Sequence, residues 1–284
     1  MAPPRMIKAK GDGLQIQTAI WDGGPKPILC IHGLTANCRC WDLLASVLAP
    51  RHQVIALDLR GRGHSGSPSS GYSIEHHVRD ILTLMDDYHL ECPVVMGHSL
   101  GAFISLALAA THPQRVDRVV LLDGGGELSD EQRAKVFTGI KPSLDRLGKV
   151  FPDFRAYVSS QKQLPFFQPW NSVLESYSRH DIQEGGGGII SRVKPKHIQE
   201  EILNFRKFIP SRFYSQIDSP LLILRATRGM LGEDDLVLPE DVVDRMVREI
   251  PQARRVDLEE TNHYSILFQP DMNRDQAILQ FVES

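Results

Sequence analysis

Glycines stand two residues either side of a serine in Gly97-His98-Ser99-Leu100-Gly101, between the apolar run Pro93–Met96 and the helix-forming run Ala102–Ala110. A strand that turns sharply into a helix presents such a serine as a nucleophile, with its hydroxyl pointing into a cleft at the carboxyl end of a sheet. Side chains at 97 and 101 would collide with the neighbouring strand and helix, which accounts for the glycines. The Leu100 N–H, in the first turn of the helix, faces the same space and supplies one donor for an oxyanion. Read alone, the pentapeptide also fits a buried helix-capping serine. A second donor is expected where the run Pro27–Ile31 ends in His32-Gly33-Leu34-Thr35: the Leu34 N–H follows a glycine that allows close backbone approach. His32, at a strand end, reads as a brace for this loop rather than as a base.

These residues must be positioned by an ordinary globular scaffold. The chain has 284 residues, 42% hydrophobic and 24% charged, with a formal net charge of -3. That fits one large domain, with or without an insertion. The balance gives no electrostatic reason for nucleic acid or an anionic membrane as partner, so a small-molecule substrate is expected. No stretch approaches the roughly 18 apolar residues of a membrane span, and no signal-peptide core follows Met1–Arg5, so the cytoplasm is the default expectation. Four scattered cysteines, with Cys38 and Cys40 lacking a second ligand pair, read as reduced thiols rather than a metal site. Monomer and homodimer stay open.

Along the chain, Leu14–Trp21 alternates as an edge strand does, while Pro27–Ile31 is a continuous apolar run, the mark of a strand covered on both faces, Gln53–Asp58 and the apolar Pro93–Gly97 read as further buried strands, and Val116–Leu122 reads as the next one. Helical spacing separates them. Ser73 is read as the cap of one of these helices, with Ile74, Val78, Ile81, Leu82 and Met85 on one face. Alternation of this kind builds a parallel sheet with its site at the carboxyl ends of the strands, where His32, Asp58, Ser99 and Asp123 fall.

His32-Gly33, Asp58-x-Arg60-Gly61-x-Gly63-x-Ser65 and Gly97-x-Ser99-x-Gly101, in this order and spacing, resemble the α/β-hydrolase fold superfamily. The resemblance implies a mostly parallel central sheet with helices on both faces. It also implies a helical cap at 127–215 inserted into a core of 1–126 and 216–284. It points to His263, in the loop after the last strand, as general base, since an imidazole titrates near neutral pH and can take and return a proton. His98, beside the nucleophile, is expected to point away and pack. Many members carry the acid after the seventh strand, but Leu224–Gly229 offers no carboxylate there. Asp123, ending the sixth strand, is favoured and Asp235 is the alternative. In the cap, Phe166, Phe167 and Trp170 are expected to bind the acyl or alcohol group, unless they only pack the cap onto the core. The glycines 185–188 read as a mobile connection.

The expected chemistry is acyl transfer to water through Ser99, His263 and Asp123, with Leu34 and Leu100 N–H groups holding the oxyanion and no metal or organic cofactor. Carboxylic esters lead as substrates. Amide and C–C bond hydrolysis share the triad, and a slow ligand sensor that keeps it is the reading from outside the enzymes. Serine rather than aspartate at 99 argues against dehalogenase or epoxide hydrolase chemistry.

Overall fold

The apolar runs become the centre of an eight-stranded sheet in the computed structural model, which describes residues 3–284. In chain order the strands are β1 (Arg5–Lys10), β2 (Gln15–Trp21), β3 (Ile28–Ile31), β4 (Val54–Leu57), β5 (Val94–His98), β6 (Arg118–Leu122), β7 (Ile182–Gly185), β8 (Gly188–Ser191), β9 (Leu221–Arg228) and β10 (Ala253–Asn262). The large sheet runs β1-β2-β4-β3-β5-β6-β9-β10. The pairs β1/β2 and β2/β4 are antiparallel, and every later neighbour is parallel. β7 and β8 form a separate hairpin.

The period of two along each strand divides the core into two layers. Leu29, Ile31, Ile55, Leu57, Val95, Val119, Leu121 and Ile223 face helices Ile74–Asp87, Leu100–Thr111 and Glu240–Glu249. Their chain neighbours Ile28, Cys30, Val54, Ala56, Met96, Val120, Leu122 and Leu224 face helices Asp42–Leu48, Ser265–Phe268 and Met272–Glu283. Burial on both faces is why these strands read as unbroken apolar runs instead of alternating.

β2 is not the edge. β1 covers it, and all of β2 beyond Gln15 is buried. The two polar positions inside it are satisfied: Thr18 Oγ1 donates to the Ile7 carbonyl at 2.9 Å, and Gln17 Nε2 to that of Thr18 at 3.0 Å. The edge strand β1, with Arg5, Lys8 and Lys10, carries the charges that guard an exposed edge. Ser73 occupies an N-cap position without making the cap bond; its hydroxyl contacts Glu75 and His76 instead.

Between β6 and β9 the chain leaves the sheet and forms helices Asp130–Asp145, Phe154–Lys162, Ser172–Asp181, Pro195–Phe205 and Ser211–Tyr214 with the β7/β8 hairpin. The glycine run expected to be a mobile connection is the tight turn of this hairpin. Gly186 and Gly187 take φ of 63° and 82°, the mirror-image turn that matches the twist of paired strands.

Candidate active site

The turn from β5 into helix Leu100–Thr111 holds Ser99 at φ 55°, ψ -119°, a strained setting for a non-glycine residue. The surrounding contacts leave no alternative. A Cβ on Gly97 would overlap the Gly101 carbonyl, and one on Gly101 would overlap the Ile31 carbonyl of β3. Leu100 is the first helical residue, so its N–H has no carbonyl one turn earlier to bond.

His263 follows β10, in a turn tightened by the Asn262 side chain, which accepts from the Tyr264 and Ser265 N–H groups at 2.9 Å each. Its Nδ1–H donates to Asp123 Oδ2 at 2.8 Å, and both residues are buried. Asp123 Oδ1 accepts from the Ala226 N–H at 3.1 Å, so the carboxylate is held at both oxygens. Asp235, the alternative acid, is placed elsewhere. Its two oxygens accept from the Met230 and Leu231 N–H groups at 2.7 and 2.8 Å, closing the loop after β9 rather than reaching a histidine.

His98 does not point away. Its ring lies 4.5 Å from that of His263, and its Nε2–H donates to the His263 carbonyl at 2.8 Å. Burial, reinforced by the neighbouring His263, pushes its pKa well below the usual histidine value and keeps it neutral. It braces the loop that carries His263.

His32 braces the opposite loop. The Leu59 N–H donates to its Nε2 at 3.0 Å, which leaves the proton on Nδ1, and Nδ1 donates to the Gly33 carbonyl at 2.7 Å. Burial lowers its pKa to about 4, so this tautomer persists at neutral pH. The Gly33 carbonyl belongs to the same peptide unit as the Leu34 N–H, so fixing one orients the other. Among the described residues the Leu34 N–H has no protein acceptor.

Ser99 and His263 both line two adjoining cavities, of about 100 and 50 Å³. The larger is walled by Leu34, Leu100, Phe103, Val136, Phe137, Ile140, Ile202, Phe205 and Val237, and the smaller reaches Thr35, Ser143, Tyr177 and Tyr264. The expected aromatic wall is not formed. Phe166, Phe167 and Trp170 line neither cavity. They pack on one another and on Tyr264 and Phe268, with Phe166 stacked on Tyr264 at 4.2 Å, and so fasten their segment to the core. Arg133, Val136, Phe137 and Ile140, at helical spacing, supply the wall instead, and that spacing is visible in the sequence.

Glu201, on helix Pro195–Phe205, also reaches the larger cavity but is not a free acid. Burial alone would raise its pKa; Arg62 and His77 beside it outweigh that and hold it at about 2. Cys38, Asp58 and His180 bring ligand atoms within 4.8 Å of one another. The Asp58 oxygens are already engaged by the Cys38 and His64 N–H groups and by His180 Nε2, an arrangement that needs no ion.

Residues 26–270 match the family described as alpha/beta hydrolase fold. An uncharacterized protein of Mycobacterium tuberculosis is 36% identical over 133 residues, 46% of this chain and 38% of that protein. The chain thus matches well under half the length of that relative. A 2-(acetamidomethylene)succinate hydrolase of Mesorhizobium japonicum is 23% identical over 290 residues, 100% of this chain and 98% of that protein. A crystal structure of E-2-(acetamidomethylene)succinate hydrolase superposes with a TM-score of 0.83 at 22% identity, over 99% of this chain and 100% of that one. At such identity the likeness is one of fold. Among the described residues no helix is long and apolar enough to cross a membrane.

Proposed function

Because the chain belongs to the α/β hydrolase fold family, we propose that it is a serine hydrolase acting through Ser99, His263 and Asp123, with carboxylic esters as its substrates. The observation that carries this reading is the 2.8 Å hydrogen bond from His263 Nδ1 to Asp123, formed at the wall of a cavity that Ser99 shares. With its proton on Nδ1, His263 offers a bare Nε2 as base. Ser99 Oγ attacks the substrate carbonyl and gives its proton to Nε2, and Asp123 stabilises the imidazolium without taking that proton. The Leu34 and Leu100 N–H groups receive the oxyanion. His263 returns the proton to the leaving oxygen, and the cycle repeats with water to release the acid.

The segment 127–215 acts as the cap over this cleft, contributing Leu128, Val136, Phe137, Ile140, Ile202 and Phe205 to its wall. These side chains favour a small apolar acyl group. Arg133 is the wall's cation not held by a buried acid, yet it already donates to the Leu128 carbonyl and to Asp130. That lining suits a neutral ester better than a dicarboxylate. Full-length likeness to a 2-(acetamidomethylene)succinate hydrolase, whose named substrate carries an acetamido group, supports amide hydrolysis as a second reading.

The test is turnover of p-nitrophenyl acetate and butyrate by the wild type and by Ser99→Ala, with acetanilides in parallel. Steady ester turnover that falls by about 10³-fold or more in Ser99→Ala is expected. Retained turnover in the variant rejects the serine mechanism. Faster cleavage of the anilide selects the amide reading, and a single stoichiometric burst marks a sensor.

A further inference from the structure

The loop that carries Leu34 is held at three successive carbonyls. His32 fixes that of Gly33. The next two are fixed by arginines that are themselves buried. Arg62 Nε donates to the Leu34 carbonyl at 3.0 Å, its NH1 donates to the Arg60 carbonyl at 2.8 Å, and its NH2 pairs with Glu201 of the cap. Arg146, at the end of the cap's first helix, donates from NH2 to the Thr35 carbonyl at 2.8 Å. Its Nε faces Asp181 at 3.4 Å and the Tyr157 hydroxyl at 3.2 Å, and that hydroxyl donates to Asp181 at 2.6 Å. Glu201 is further held by His77 Nε2 at 2.5 Å, and Asp181 by the Ser191 hydroxyl at 3.0 Å.

Each arginine therefore joins one backbone carbonyl of the loop to one buried carboxylate of the cap. Neither guanidinium is free to bind a substrate anion. A planar fork with several donors is the side chain that can make both contacts at once; a lysine ammonium can keep the carboxylate but not both partners in this geometry.

We propose that Arg62 and Arg146 are positioning residues that, together with His32, hold the Leu34 N–H in its oxyanion-binding orientation, and that their share of this hold is complete when the cap is seated, so that cap docking and transition-state stabilisation are coupled. The inference rests on the serine-hydrolase reading and adds a role for the cap that is separate from walling the cavity. His32 holds the Gly33–Leu34 peptide by its own carbonyl, and the arginines pin the next two carbonyls on its C-terminal side, which restricts the backbone turn that would swing the Leu34 N–H away. Loosening either pin lowers the fraction of molecules in which both oxyanion donors are aimed, which affects the transition state and not the neutral substrate.

The experiment uses Arg62→Lys and Arg146→Lys, which keep the charge beside Glu201 and Asp181. Rates are measured per active site, titrated with diethyl p-nitrophenyl phosphate, so that a fall in the folded fraction does not count. The readouts are kcat and KM for p-nitrophenyl butyrate and the rate at which a fluorophosphonate probe labels the enzyme. A loss in kcat and in labelling rate of about 10- to 100-fold, with KM held within about two-fold, is expected in one or both variants; the loss of an oxyanion donor outright, about 10²- to 10³-fold, sets the ceiling. Per-site rates within two-fold of wild type in both variants overturn the proposal and leave the serine reading intact. Should either lysine variant fail to fold, Glu201→Gln, which preserves the shape of the pair, is measured in the same way: the same per-site loss supports the proposal, and rates within two-fold of wild type overturn it. Turnover surviving in Ser99→Ala rejects the underlying reading, which separates that failure from this one.

Discussion

Replacing Asp123 by Asn changes one atom, and the structure fixes what that atom must do. Asp123 accepts from His263 Nδ1–H on one oxygen and from the Ala226 N–H on the other. Asparagine has a single accepting oxygen and can serve only one of them. Turning its NH2 toward the Ala226 N–H would set donor against donor in a buried site, at a cost of about 1–3 kcal/mol. Turning its NH2 toward His263 instead requires only that the imidazole move its proton from Nδ1 to Nε2, and the two tautomers differ little in energy. The second arrangement therefore wins. His98 does not oppose it, because it bonds the His263 carbonyl and not the ring. With its proton on Nε2 the ring cannot accept one from Ser99, a fault that costs about 10⁴ in kcat, or 5–6 kcal/mol of barrier. Asp235→Asn is the control: it loses one of two backbone amide contacts in the loop after β9, at about 1–3 kcal/mol of stability, and leaves kcat unchanged. Steady-state kinetics on p-nitrophenyl butyrate decide. An Asp123→Asn enzyme retaining more than about a tenth of wild-type kcat, or an Asp235→Asn enzyme falling as far, refutes the reasoning.

Two further outcomes are expected. Phe137→Ala opens the wall of the larger cavity and should raise the preference for octanoyl over butyryl esters, as the ratio of kcat/KM values, by about 10-fold; an unchanged ratio would place the acyl chain elsewhere. The pair of Arg62 with Glu201 makes stability depend on acid. Glu201 sits at about 2 in the folded protein against an ordinary 4.5, a lowered pKa, so its contribution is complete above about pH 4.5 and is lost as pH falls toward 2. Thermal melts between pH 7 and 2 should show the wild type losing on the order of a few kcal/mol more across that window than Glu201→Gln, whose amide does not titrate. Parallel melting curves for the two would contradict the pairing.

Sequence pattern revealed the parts whose physics is local. The runs of β3, β4, β5 and β6 are continuous because both faces are covered, and the glycines at 97 and 101 record two backbone contacts that exclude any Cβ. What escaped depends on distant segments. Phe166, Phe167 and Trp170 are aromatic whether they face a ligand or Tyr264, and only the fold decides which. Gly185–Gly188 closes a hairpin because Ile182–Gly185 pairs with Gly188–Ser191, a register that composition does not announce. β1 was hidden by its lysines and arginine, which suit an edge but dilute the strand signal. Arg62 and Glu201 meet from segments 139 residues apart, and nothing in either neighbourhood marks them as partners.

The most direct measurement is the mass of the protein, intact and after digestion, following brief exposure to a fluorophosphonate. One phosphonyl group on Ser99, absent over the same interval in His263→Ala, is the predicted result. Labelling at another residue, or none while ester turnover continues, would contradict a serine activated by that histidine.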